Sequence, residues 1–459
     1  MDWIKLLNSS RLGDNRSNYD AFAHRSAFQR DYDRIIFSSA FRRMQDKTQV
    51  FPIPENDFVH NRLTHSIEVA AVGRTLGNLV GQFVLDKQQP ELQSEDISMH
   101  MFGDVVAAAS LAHDVGNPPF GHSGERAIGD FFRKNAALKT GYNFTEQEWN
   151  DLLKYEGNAH GFRLLTNHHP EEIRGGLRLT YATLGCFAKY PRPSIIGKAD
   201  LVNPEKKRTS SKKFSFFQPE KELFEEVAKA LELPLLSKNE SPQKVWSRHP
   251  LVYMVEAADN ICYRIIDLED GYKLGYLKLQ EMEDLLFPLL QRAHDRDEAE
   301  QKYRQIKDAG EKIGYLRAKA INVLIYESID VFRANYDGIM SGEFDSEITD
   351  LIESTRHLEG PIKDANIYLY NRRPVIEIEV AGYQVISGLL EHFMQAQLAP
   401  KEGINKKLLQ LLPEQFHAND GESGYQKIMK IVDFVARMSD SYALNLYRRL
   451  SGQSLPIIG

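Results

Sequence analysis

The sequence predicts an all-α protein with a helical core and an additional C-terminal helical region. Long stretches repeat apolar residues at helical spacing, strand-like alternation is nearly absent, and no strand–helix alternation runs along the chain, which argues against a doubly wound sheet. The elements follow in order. Arg30 to Arg43 (RDYDRIIFSSAFRR) and Ser66 to Asp86 are amphipathic. Asp104 to His113 is small and apolar, hence a buried helix, and it stops at the breaker Gly116-Asn117-Pro118-Pro119. A helix restarts over Ser123 to Asn135, and Pro250 to Asp270 forms another long one, ended by Gly271. Leu279 to Ile339 stays helical with many charges. Arg373 to Val380 (RPVIEIEV) alternates loosely but also fits a helix start. Asn203 to Lys213 and His417 to Gly424 read as the least ordered stretches. A soft boundary near Lys273 to Leu279 divides a 1–275 core, which holds the chemically informative residues, from a 276–459 region for packing and assembly.

Composition narrows the class. The 459 residues are 42% apolar and 26% charged, ordinary for a soluble globular chain and incompatible with wholesale disorder. Two cysteines, Cys186 and Cys262, cannot build a disulfide framework or a four-cysteine zinc site. The stretch MDWIKLLNSSRLGDNRS lacks the apolar core of a secretory signal, and the run Val105 to Ala112 is far shorter than the ~20 residues of a membrane helix. The expected location is the cytoplasm, with no membrane contact. A net charge of −7 argues against a dedicated duplex-DNA binder. Locally the balance reverses: Arg174 to Lys213 holds ten Lys/Arg against two acids, Asp200 and Glu205. That suggests contact with a polyanion, or a solvated loop around PEKKRTSSKK.

Familiar catalytic signatures are missing. The Gly197-Lys198 pair is followed by Ala199, so no P-loop forms, and there is no H-E-x-x-H. Gly121-His122-Ser123-Gly124 resembles a hydrolase elbow, but Glu125 stands where the closing glycine belongs. What remains is a set of metal-compatible side chains. His113 and Asp114 end a helix just before the Gly-Asn-Pro-Pro break, where both can lean toward one point. His65 starts an amphipathic helix, and Asp259 is a carboxylate inside a mostly apolar one, costly to bury without a partner. Two imidazoles and two carboxylates suit a divalent ion and leave positions open for water and substrate. A lone His-Asp pair is usually a cap and a lone helical Asp is usually solvated, so spacing alone leaves both readings open.

The flanking words are more specific. NRLTHSIEVA, LAHDVGNPPFGHSGE, YEGNAHGFRLL, EAADNICYRIIDLEDG and MSDSYALNLYRRLSG resemble bacterial dGTP triphosphohydrolases and their dGTPase-like relatives in the HD superfamily, from about Arg25 to Gly452. The resemblance implies cleavage of a deoxynucleoside triphosphate at the α-phosphorus, giving a deoxynucleoside and tripolyphosphate. It implies that His65, His113, Asp114 and Asp259 hold a divalent metal, with Mg or Mn expected and Fe, Ni or Zn also suited. His122 and Glu125 match the catalytic pair; at i and i+3 they share a helix face. Arg62 matches an arginine facing the phosphates. Tyr263 and Asp267, on one stripe with Asp259, match groups near the deoxyribose, and Gln45 matches a glutamine reading the 3′ hydroxyl. Lys189, with Lys212 or Lys213, is expected on the β- and γ-phosphates. His160 departs from the glutamine usual at its position. The family also implies a homo-oligomer, a possible nucleotide activator and possible binding of single-stranded DNA. Rival expectations are an HD phosphohydrolase acting on another phosphoester, and a single-strand-binding protein with a vestigial centre.

Overall fold

A computed structural model describes residues 1–13, 24–49, 60–88, 92, 95–167, 174–401 and 403–454. Among them the only strand-like features are isolated bridges such as Thr48 with Asn61, so the fold is all-α. The helices that matter for function are Ala27–Phe37 (α1), Arg62–Lys87 (α2), Met99–Ala112 (α3), Gly121–Lys134 (α4), Glu146–Leu153 (α5), Gly157–Thr166 (α6), Val252–Lys273 (α7), Ala309–Ala334 (α8), Glu353–Tyr370 (α9), Arg373–Leu398 (α10), Gly424–Ala436 (α11) and Asp440–Leu450 (α12).

The centre of the molecule is α2 packed along α3. The run Val105 to Ala112 is fully buried because its small side chains let α2 approach, and α2 answers with Val69, Leu76, Val80 and Val84. Helix α7 crosses both and buries Ala257, Ala258, Ile261 and Ile265. This apolar cluster runs from Trp3 to Val375, so helices on either side of residue 275, including α8, share it. A second cluster joins α4 and α5 to α10, α11 and α12. A buried ionic knot ties the two together. The Arg163 guanidinium of α6 donates to both oxygens of Asp433 in α11, at 2.9–3.0 Å, and pairs with Glu220.

Some boundaries differ from the sequence expectation. The predicted Arg30–Arg43 helix breaks at Ser38, whose hydroxyl accepts from the Phe41 amide and starts a separate short turn. Helix α7 runs through Gly271 to Lys273, and the glycine leaves room for Leu369. Arg373 to Val380 is helical, with Pro374 in the first turn where its missing N–H costs nothing. The Leu279–Ile339 stretch divides into four helices. No helix among the described residues is long and apolar enough to cross a membrane.

Candidate active site

Two helix ends and one helix middle converge. At the start of α2, Asn61 and Thr64 cap each other reciprocally, which sets Arg62 in the first turn and His65 one turn on, both buried. At the end of α3 the chain tightens into turns through Asp114, Gly116 and Asn117, carrying His113 and Asp114. From the middle of α7 comes Asp259. Ligand atoms of His65, His113 and Asp259 all lie within 4.8 Å of one another. His65 Nε2 is 3.2 Å and His113 Nε2 3.5 Å from Asp259 Oδ1. His113 donates Nδ1–H to the Ser110 carbonyl at 2.6 Å, which turns Nε2 toward the cluster.

Asp114 stands beside this trio, 3.6 Å from His113 Nε2, with its oxygens held by Arg62 and Asn117 at 2.5 Å each. Burial works against ionising these groups, but neighbouring charges win. Asp114 is held well below the carboxylate range by Arg62 and His113, and Asp259 likewise by the two histidines. His113 rises to about 9 against its own desolvation, drawn by Asp114 and Asp259. A field that strong toward a proton is equally a field toward a cation, and the donor set of two imidazoles and flanking carboxylates fits a divalent transition metal or Mg.

The cluster opens into a cavity of about 500 Å³. His122, just after the left-handed residue Phe120 that opens α4, lines it; its Nδ1 meets Glu125 Oε2 at 2.7 Å. Glu125 is buried and would rise, but His122 and Lys213 hold it ionised, and its other oxygen accepts the Gly157 amide at 2.7 Å. Arg62, Lys189, Lys213 and Tyr263 also line the cavity.

Other expected residues sit elsewhere. Lys212 is not among the lining residues; it is exposed and paired with Glu347 at 3.1 Å, while its neighbour Lys213 turns inward. Gln45 is exposed on a single 3-10 turn, Met44–Asp46. Gln49, four residues on, lines the cavity with a buried Oε1 that has no hydrogen-bond partner among the described residues. The word FRRMQDKTQVF carries both glutamines, and only the extended turn after Asp46 distinguishes them. Asp267 is buried behind Tyr370, whose hydroxyl donates to it at 2.6 Å. Sequence gave no sign of Tyr370, Val375, Ile378 or Glu379, which close the cavity from α9 and α10.

Half of the ten basic residues of this stretch, Lys212 among them, pair with acids of the same chain. Arg174 pairs with Glu226, Lys206 with Glu343, Lys213 with Glu156, and Lys189 with Glu256 at 3.4 Å.

Comparison with known proteins agrees with this geometry. The HD domain profile matches residues 62–199, and a phosphohydrolase-associated domain matches residues 364–449. A deoxyguanosinetriphosphate triphosphohydrolase-like protein of Synechocystis sp. is 41% identical over 99% of this chain and 100% of its own. One from Pseudomonas aeruginosa is 38% identical, again over 99% of this chain and 100% of its own. The chain belongs to the deoxyguanosinetriphosphate triphosphohydrolase-like family. A protein of Enterobacter sp. named deoxyguanosinetriphosphate triphosphohydrolase is 29% identical over 92% of this chain and 93% of its own. Within this HD-family hydrolase the first profile spans His65, His113, Asp114 and the His122–Glu125 pair, and the second spans Tyr370 and Glu379 on the opposite side of the cavity.

Proposed function

We propose that the protein is a metal-dependent triphosphohydrolase of deoxynucleoside triphosphates, dGTP foremost, releasing deoxynucleoside and tripolyphosphate. The observation that carries this is one cavity holding a His/Asp cluster, three cations and a polarised His–Glu pair. His65, His113, Asp114 and Asp259 would hold the ion, which when bound would polarise the α-phosphoryl group as a Lewis acid. Mn or Mg is expected to serve in an assay. Arg62, bridged to Asp114, offsets charge building on the α-phosphate oxygens, and Lys189 and Lys213 take the β- and γ-phosphates. Water adds to the α-phosphorus, the bond to O5′ breaks, and the proton the water gives up restores the one that His122 delivers to O5′. His122 protonates that leaving oxygen, with ionised Glu125 stabilising its imidazolium form.

Tyr263 and Tyr370, with ring centres 5.9 Å apart, form the sugar wall, and Asp267 acts through the Tyr370 hydroxyl. A 2′ hydroxyl packed there would lose its water without gaining a partner. Glu379, which lines the cavity and lies 3.5 Å from Arg126, offers guanine an acceptor for both N1–H and N2–H, whereas adenine presents an acceptor at N1.

A turnover panel of the four dNTPs and four NTPs with Mn or Mg, with phosphorus NMR of the product, tests the proposal. Deoxy-only turnover and a tripolyphosphate signal are expected. Release of orthophosphate or pyrophosphate would reassign the enzyme to another phosphoester, and oligonucleotide binding that survives loss of Asp114 without any turnover would favour the binding protein.

A further inference from the structure

The C-terminal word MSDSYALNLYRRLSG contributes no residue to the cavity lining, yet its aspartate touches the catalytic turn. Asp440 opens α12 and is 3% exposed. Its Oδ1 accepts the Phe120 amide at 2.9 Å and its Oδ2 accepts the Thr48 amide at 2.9 Å. Phe120 is the left-handed residue two before His122, and Thr48 directly precedes Gln49; Phe120, His122, Thr48 and Gln49 all line the cavity.

Two further braces reach the same turn from the same region. The buried Lys47 ammonium donates to the Asn117 carbonyl at 2.5 Å and to the Ala436 carbonyl of α11 at 3.3 Å. His160 Nδ1 donates to the Gly116 carbonyl at 3.0 Å, with Nε2 lying 3.4 Å from Asp433 of α11. Gly116, Asn117 and Phe120 are thus all tied, directly or through one side chain, to α11 and α12. None of these contacts involves His65, His113 or Asp259.

We propose that Asp440 is a positioning residue for His122: one carboxylate holds two backbone amides and so fixes the turn that aims the imidazole. Backbone held at two points by one buried side-chain acceptor loses freedom that a reacting histidine cannot have, since misplacement by about 1 Å costs on the order of a hundredfold in rate. This rests on His122 being the group that acts on substrate.

The test uses the full-length enzyme with Mn. D440N keeps the shape but sets an amide N–H against one of the two backbone N–H groups. Expected are faster deuterium exchange at the Thr48 and Phe120 amides, a kcat lower by roughly 10- to 100-fold, and a KM within about threefold of wild type. Metal affinity stays unchanged, and S441A, which removes only the bond to Asp46, keeps wild-type kcat. In an H122Q background D440N adds no further loss. Unchanged kcat in folded D440N, or the same fold-loss in the H122Q background, overturns the proposal.

G382A probes the same turn should D440N not fold. A Cβ there would stand 2.5 Å from Phe120 Cγ, so it presses on the turn without touching Asp440. The same fall in kcat at nearly constant KM is expected, and an unchanged kcat again overturns the idea. The exchange measurement needs no turnover. If wild type cleaves no dNTP, the function is wrong, and exchange still decides whether Asp440 orders the turn.

Discussion

The cavity has two unlike sides. The side built by α2, α3 and α7 is a balanced set of charges: Arg62 on Asp114, His65 and His113 on Asp259, Lys189 on Glu256. The side built by α9 and α10, with α12 behind, presents Tyr370, Val375, Ile378 and Glu379 and is held by apolar packing and backbone hydrogen bonds. In the first, each group exists for its charge, and removing one strands another. In the second, Tyr370, Val375 and Ile378 offer shape, and Glu379, 3.5 Å from Arg126, is the charged edge. Under the proposed function the first side holds the metal and the phosphates and the second serves alignment and selectivity, with His122 of α4 between them.

The largest effect should come from breaking the charged side. D259A removes the carboxylate that both histidines address and should abolish metal retention and lower kcat/KM by several kcal/mol of transition-state stabilisation, roughly a thousandfold or more. Metal content after dialysis and steady-state turnover check it. Unchanged turnover would remove the distinction between the two sides.

Next is the knot that joins them. R163M leaves Asp433 and Glu220 buried without their cation, which should cost on the order of 3–5 kcal/mol. A lowered urea midpoint, with early proteolysis of the C-terminal helices, is the expected result. A loss below about 1 kcal/mol would mean the sides are fastened elsewhere.

A smaller effect should separate selectivity from chemistry. E379Q should lower kcat/KM for dGTP about tenfold, the worth of a hydrogen bond to a charged group, while dATP turnover changes little. Equal losses on both nucleotides would place Glu379 in the general machinery instead.

The two sides also differ in how well sequence reports them. His65, His113, Asp114 and Asp259 were legible because a carboxylate among Ala257, Ala258 and Ile261 demands a partner, and because their flanking words are specific. The helices α2, α3, α4 and α7 were legible from periodicity and from one Gly-Asn-Pro-Pro break. Tyr370, Val375 and Ile378 were not, since an aromatic or aliphatic residue at helical spacing looks the same whether it faces a core or a cavity. Gln45 was expected from the resemblance alone, and Gln49, which lines the cavity instead, lies past a 3-10 turn whose effect on the direction of a side chain leaves no trace in composition. Lys212 and Lys213 are adjacent and chemically identical, and only the acids Glu347 and Glu156 sort them outward and inward.

The smallest and most discriminating effect lies where the sides touch, at Tyr370 and Asp267. Burial pushes the Asp267 carboxyl up to about 8, although the Tyr370 hydroxyl pulls it down. The folded state therefore keeps a proton that the unfolded chain releases near the ordinary aspartate value of about 4. Between those values the native state binds more protons, so its stability is fully present below about pH 4 and declines as pH rises toward 8. D267N keeps the acceptor for Tyr370 but cannot ionise, so its urea midpoint should fall less between pH 5 and pH 9 than that of wild type. The His60 imidazole, pushed up to about 10 against its own burial by Asp270 and Glu68, titrates over part of the same range and contributes to the slope of both proteins. In Y370F the carboxyl loses a donor that stabilises its charge, so the decline should extend to higher pH. Identical pH slopes for wild type and D267N would show that Asp267 ionises normally and that the α9 tyrosine exerts no electrostatic hold on the opposite side.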